Sequence, residues 1–220
     1  MQLQKVADYL DTYNGRDKVM RILYYSAQYL AGITKSKELE HKLNIFSDQI
    51  NCCRTVLRLF DDIPMLTYTL SYGLGRKEPD NVVQMCNVAV NTLDQLYYPL
   101  EHIAWAADCK LLSLKSDSWW TATSICWALS MYLMMIKSLR YYNVLRGMKS
   151  ILKNDKNTKQ TIKDISHIEA NELLTAARCF VDCVHAIHWL PSGILWAGKL
   201  KQWHIGFLGI ISSMISLYQS

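Results

Sequence analysis

The sequence predicts an all-α protein, with amphipathic helices in the N-terminal half followed by two transmembrane helices in a multi-pass membrane chain. Three observations predict it. Apolar residues recur with a 3.6-residue period along almost every segment. Four prolines and nine glycines in 220 residues leave few points at which a helix must stop. Two stretches of 18 and 19 residues, 119–136 and 202–220, carry no charge, and each is close to the length that crosses a bilayer core.

Composition excludes several classes. Half the residues are apolar and a fifth charged, which is enough apolar mass to bury a core and too much for a disordered chain. No period of 20–50 residues points to a repeat array. Seven cysteines without a repeated spacing do not form a secreted disulfide framework. The N-terminal segment is charged every few residues and does not read as a signal peptide. Seven Trp and thirteen Tyr against four Phe favour rings with one apolar and one wet end. Residues 1–118 hold 13 basic and 14 acidic side chains and residues 119–220 hold 11 and 5, so the basic excess lies in the second half.

Taken in order, a short helix carries Val6, Leu10 and Tyr13. Asn14-Gly15 then breaks the chain, Asp17 is a fair N-cap, and a helix runs to a stop at Gly32. Val19, Ile22, Leu23, Ala27 and Leu30 form its apolar side, and Asp17, Lys18, Arg21, Tyr25 and Gln28 the other. A second helix spans about Ser36 to Ile63. Its last turns set Val56, Leu59, Phe60 and Ile63 against Arg54, Thr55, Arg58, Asp61 and Asp62, and Pro64 kinks or ends it. Gly73, Gly75 and Pro79 mark a loop. A long helix follows from Val82 to about Leu114, kinked by Pro99.

The uncharged stretch from Trp119 to Ile136 covers about 27 Å as helix. Trp119 and Trp120 flank one end and Lys137, Arg140, Tyr141 and Tyr142 the other, the aromatic and basic rims of a spanning helix. Between Lys137 and Lys163 eight basic residues face one acid, Asp155. This run reads as a solvated connector beside a membrane. Without interleaved aromatic rings it does not read as a nucleic-acid site. Another amphipathic helix, Ile165 to Leu190, ends at Pro191. From Gln202 the second span carries Gly206, Gly209 and Ser213 on one side, small residues that let helices approach closely in lipid.

Chemistry is sparse. No phosphate-binding loop, dinucleotide fingerprint or nucleophile elbow occurs. Asp182, His185 and His188, spaced i, i+3, i+6, are the best metal candidate, but no second ligand cluster accompanies them. Glu101-His102 has the residue types of an acid/base pair, yet neighbours on a helix point about 100° apart. The expectation is a non-enzymatic chain with no cofactor and no metal.

Seven strings then identify a family: NGRDKVMRILYY, CRTVLRLFDD, SYGLG, DQLYYPLEHIAWAAD, SDSWW, HWLPSGILWAG and LGIISSMISLYQ. In this order, over nearly the whole chain, they resemble the gamma type of the peroxisomal membrane protein eleven family. The resemblance implies a multi-pass peroxisomal membrane protein without enzymatic activity. It would elongate the membrane before division, associate with itself and other family members, and recruit a tail-anchored fission adaptor and through it a dynamin-like GTPase. Both termini would be cytosolic.

The implied organisation is a cytosolic amphipathic region (1–118), a first span (119–136), a basic connector with an amphipathic helix (137–201) and a second span (202–220). The membrane-inserting face would be Val19, Ile22, Leu23, Leu30, Val56, Leu59, Phe60 and Ile63. Lys18, Arg21, Arg54 and Arg58 would meet lipid head groups, and Gly206, Gly209 and Ser213 would carry self-association. Asp61 and Asp62 offset Arg54 and Arg58, so apolar insertion carries most of the attraction. Two alternatives stand beside this reading. The N-terminal helices could instead pack on one another in a bundle. Oligomerised spans could enclose a pore for small metabolites.

Overall fold

The computed structural model describes residues 2–152 and 159–220, and among these the regular structure is entirely helical. Eight helices are described: α1 (Gln2–Asp11), α2 (Tyr13–Ile33), α3 (Lys37–Arg58), α4 (Asp62–Tyr72), α5 (Asn81–Asp108), α6 (Ser116–Leu152), α7 (Lys159–His188) and α8 (Gln202–Tyr218).

Local chemistry explains the boundaries. The hydroxyl of Thr12 accepts from Gly15 N at 3.0 Å and caps α2. Asn14-Gly15 therefore lies in the first turn of α2 instead of breaking the chain, and Asp17 is inside the helix. Gly15 fits there because a Cβ would collide with the carbonyl of Tyr9. Ser36, near the expected start of the helix, caps α3 and accepts from Leu39 N at 3.3 Å.

The helix expected to run on to Ile63 stops at Arg58, and the chain turns through Leu59–Asp61. Pro64 then falls in the first turn of α4, where a helix needs no backbone donor. Asp80 caps α5, accepting from Val82 N and Val83 N at 2.9 and 3.2 Å, and pairs with Arg140 of α6 at 2.9 Å. The backbone donors of Val83 and Val82 and the Arg140 guanidinium hold this carboxyl below its usual range. Pro99 lies inside α5 without ending it.

Most of the expected connector is also helical, at the end of α6 and the start of α7. Its residues 153–158, including Asp155, lie outside the described residues.

The helices pack in the order α3, α2, α8, α7, α6, α5, α4, with α1 against α2. Arg58 of α3 reaches Glu101 of α5 and ties the first helix of that series to the next-to-last. The N-terminal helices are thus packed with the uncharged ones: α2 lies on α8, and α5 lies on α6. The α2–α8 approach is close because Gly206 and Gly209 have no side chain. A Cβ at Gly206 would run into the backbone of Tyr29, and one at Gly209 into the ring of Tyr25.

Among the described residues one helix, α6, is long and apolar enough to cross a membrane by length and composition, and 28% of its apolar stretch is buried inside the protein. The second uncharged stretch forms α8, whose 17 residues span about 26 Å.

Candidate functional site

The interior of the helical ring is polar. Arg54 Nε and Nη2 donate to the two oxygens of Asp17 at 2.8 and 3.2 Å. Arg58 Nη2 and Nε donate to Glu101 at 2.5 and 3.1 Å, and the Tyr97 hydroxyl adds a third bond to the same carboxylate at 2.9 Å. Glu101 is completely buried. Arg21 Nη2 donates to Asp182 at 2.8 Å and to Ser212 at 2.9 Å. Ser130 donates to Asp94 at 2.7 Å. Asn91, Ser138 and His185 are buried as well. Planar guanidiniums paired two-toothed with carboxylates are the strongest way to keep such charges away from water.

Two adjoining cavities occupy this interior. The first, about 380 Å³, is walled by four arginines (21, 54, 58 and 178) together with Asp94, Asp182 and aromatic rings. The second, about 490 Å³, shares Arg58, Tyr97 and Trp127 with it and extends toward Trp120 and Trp189.

Parts of the exterior are apolar. Phe60 is 75% exposed, Ile63 70% and Leu70 72%. These three, with Leu66 and Tyr68, make the α3–α4 corner an apolar projection. Along α6, Ile125, Leu129 and Tyr132 are exposed in the same way, and along α8 so are Phe207 and Met214. Paired charges in the interior beside exposed apolar patches are an arrangement that suits a bundle in contact with lipid.

The predicted site residues divide along this line. Leu23, Leu30, Val56, Phe60 and Ile63 are exposed, whereas Val19, Ile22 and Leu59 are half-buried. The four cations expected at head groups have partners within the chain. Arg21, Arg54 and Arg58 point inward, and Lys18 Nζ donates to Ser216 O at 3.1 Å and to the Ser220 hydroxyl. A guanidinium with a carboxylate at 2.8 Å gains more there than from a loose, hydrated phosphate contact. Gly206, Gly209 and Ser213 are buried, and their close approach is made to α2 of the same chain.

Asp182 serves Arg21, His185 packs edge-on to Tyr25 and Trp127, and His188 Nδ1 accepts from Leu200 N at 3.3 Å. At the start of α2, the Tyr13 hydroxyl donates to Asp61 at 3.0 Å, and burial with that carboxylate raises the phenol above its usual range. The acids that organise the interior (Asp17, Asp94, Glu101 and Asp182) were not singled out as a group by the sequence. The available signal was an acid inside an otherwise apolar helical stretch, as at Asp94, Glu101 and Asp182.

Known proteins share this chain almost end to end. The family profile described as peroxisomal biogenesis factor 11 (PEX11) matches residues 3–220. The chain belongs to the peroxisomal biogenesis factor 11 family. It is 39% identical to human peroxisomal membrane protein 11C, over 99% of this chain and 94% of that protein. The mouse protein of the same name is equally similar, at 39% over the same shares. Peroxisomal membrane protein PMP27 of Saccharomyces cerevisiae is 32% identical over 43% of this chain and 39% of its own length. No solved structure matches.

Proposed function

We propose that this protein is a non-enzymatic remodeller of the peroxisomal membrane that promotes elongation before division. The supporting observation is the exposed apolar α3–α4 corner, Phe60, Ile63, Leu66 and Leu70, beside arginines (21, 54 and 58) that pair within the bundle. Such a corner enters one leaflet, spreads its head groups without adding equal area to the other, and so favours curvature. Each large side chain contributes at most about 1.5–3 kcal/mol on full burial, and less in the interface. One corner is therefore a weak wedge, and many copies held together act through effective concentration.

α6 is the main crossing segment and α8 the second, with both termini in the cytosol. Copies associate with one another and with other family members, and recruit the tail-anchored adaptor and its dynamin-like GTPase. This reading draws on the names of the human, mouse and yeast relatives as much as on the geometry.

The test is Phe60→Asp with Ile63→Asp in the full-length protein. Both side chains are exposed, so thermal stability in detergent is expected to change by less than about 0.5 kcal/mol. Desolvating two unpaired carboxylates opposes insertion, so elongation of peroxisomes in cells and tubulation of vesicles are expected to be lost. Undiminished elongation by the folded variant would remove the corner from the mechanism.

A second reading, a pore for small metabolites, is favoured by the two adjoining cavities lined by charged side chains. The charged lining that the uncharged stretches of α6 and α8 lack comes here from α2, α3, α5 and α7. Solute flux across vesicles containing the protein separates this reading from the first.

A further inference from the structure

We propose that the four-arginine cavity is a binding site for a phosphate-bearing anion. The proposal rests on neither functional reading. Arg21 from α2, Arg54 and Arg58 from α3 and Arg178 from α7 wall one space of about 380 Å³, within the range of small-molecule pockets. Bringing four like charges to one space costs free energy, and the protein offsets it unevenly. Arg54 has Asp17 to itself and Arg58 has Glu101 to itself. Arg21 and Arg178 must share Asp182, and Arg21 holds it at 2.8 Å while Arg178 Nη1 stands 3.9 Å from the other oxygen.

Arg178 Nε is buried and has no hydrogen-bond partner among the described residues. A buried guanidinium donor left in this state is costly. The remaining carboxylate of the wall, Asp94, is engaged by Ser130 and has no arginine within ion-pair distance among the described residues. Among the described residues, the buried guanidinium donor without a partner therefore lies where Arg21 and Arg178 share Asp182. A tetrahedral group with several acceptor oxygens takes donors from several directions at once, which a single carboxylate in that space does not. Forked guanidiniums recognise such oxygens two at a time. The rings of Tyr98 and Trp127 in the same wall provide apolar surface for the organic part of a phosphomonoester.

The phosphate can arrive free in solution or as a lipid head group, and the experiment separates these sources. Full-length protein is purified in detergent without phosphate and titrated with glycerol 3-phosphate, with chloride at equal ionic strength as control, by calorimetry and thermal unfolding. In parallel it is placed in bilayer discs of phosphatidylcholine with or without phosphatidic acid, and bound lipid is read by native mass spectrometry.

A saturable response to either ligand, weakened about tenfold or more in Arg178→Gln, is expected for loss of charge-assisted bonds. Response to glycerol 3-phosphate identifies a soluble ligand, and response to phosphatidic acid alone a lipid. Arg178→Gln removes no hydrogen bond present in the structure and is expected to fold. Arg178→Lys, which keeps the charge but not the fork, is expected to bind with intermediate strength. No response to either ligand, or a response equal in the native protein and Arg178→Gln, would overturn the proposal.

Discussion

The inner wall around Arg58 and the outer face of α6 are built from opposite materials. Inside, Glu101 is fully buried and its charge is matched by Arg58 and Tyr97. Outside, Ile125, Leu129 and Tyr132 are exposed on a helix long and apolar enough to cross a membrane. In water this arrangement would cost free energy twice, by desolvating charges and by leaving apolar side chains wet. In lipid both choices are sound, because ionisable groups are tolerated where they face the bundle interior and pair with one another. The contrast is between an inner wall ordered by charge pairing and an apolar strip of α6 suited to an apolar solvent.

The largest expected effect breaks the inner wall. Glu101→Ala leaves Arg58 buried and uncompensated, which costs about 3–5 kcal/mol. A large fall in melting temperature, followed by near-ultraviolet circular dichroism in detergent, is expected. Replacing both partners, Arg58→Met with Glu101→Leu, is expected to recover much of it. A single variant as stable as the native protein would mean that the inner charges are not what orders the ring.

The next effect probes the outer wall. Leu129→Asp places a carboxylate at an exposed position near the middle of the uncharged stretch. Insertion into lipid should lose about 2.5–3.5 kcal/mol, read as a smaller carbonate-resistant fraction. On a water-soluble bundle the same exposed change would be harmless, so full resistance would break the comparison.

A third test sharpens where the two walls meet. Gly206→Leu with Gly209→Leu forces α8 away from Tyr25 and Tyr29 and is expected to cost about 1–3 kcal/mol by overpacking. The loss should appear in the melting of dilute, uncrosslinked protein. If melting is unchanged and only crosslinking falls, these glycines serve contact between copies instead.

The smallest effect lies at the rim. Asp80→Ala removes both the cap of α5 and the bond to Arg140, whereas Asp80→Asn keeps the cap, so Asp80→Ala is expected to melt lower. Because this carboxyl is held below its usual range, its contribution is present above the unfolded-state value and fades as pH falls through the folded one. The gap between the two variants and the native protein should therefore narrow in acid.

The helices were legible because each writes its stripe locally. Val19, Ile22 and Leu23, or Ser36 before its helix, signal within a few residues. The error at Asn14-Gly15 arose because a cap two residues upstream outweighs a glycine, and the error at Leu59–Asp61 because apolar spacing continues through a tight turn. The inner wall left no local period. Arg54 and Asp17 are 37 residues apart, Arg58 and Glu101 43, and Arg21 and Asp182 161. Side chains read as a polar stripe facing water or head groups were facing one another. Amphipathicity states that a helix has two faces and does not state which one meets the solvent.

The contact between α2 and α8 also has a consequence in time. Lys18 and its acceptor Ser216 are 198 residues apart, so at ordinary elongation rates roughly 10–40 s separate their appearance from the ribosome. Throughout that interval the side of α2 that carries Tyr25, Tyr29 and Gly32 has no α8 to cover it. The newborn chain needs a holding factor or a membrane surface for that side until its last helix arrives, and a ribosome stalled before residue 202 would present this side for capture.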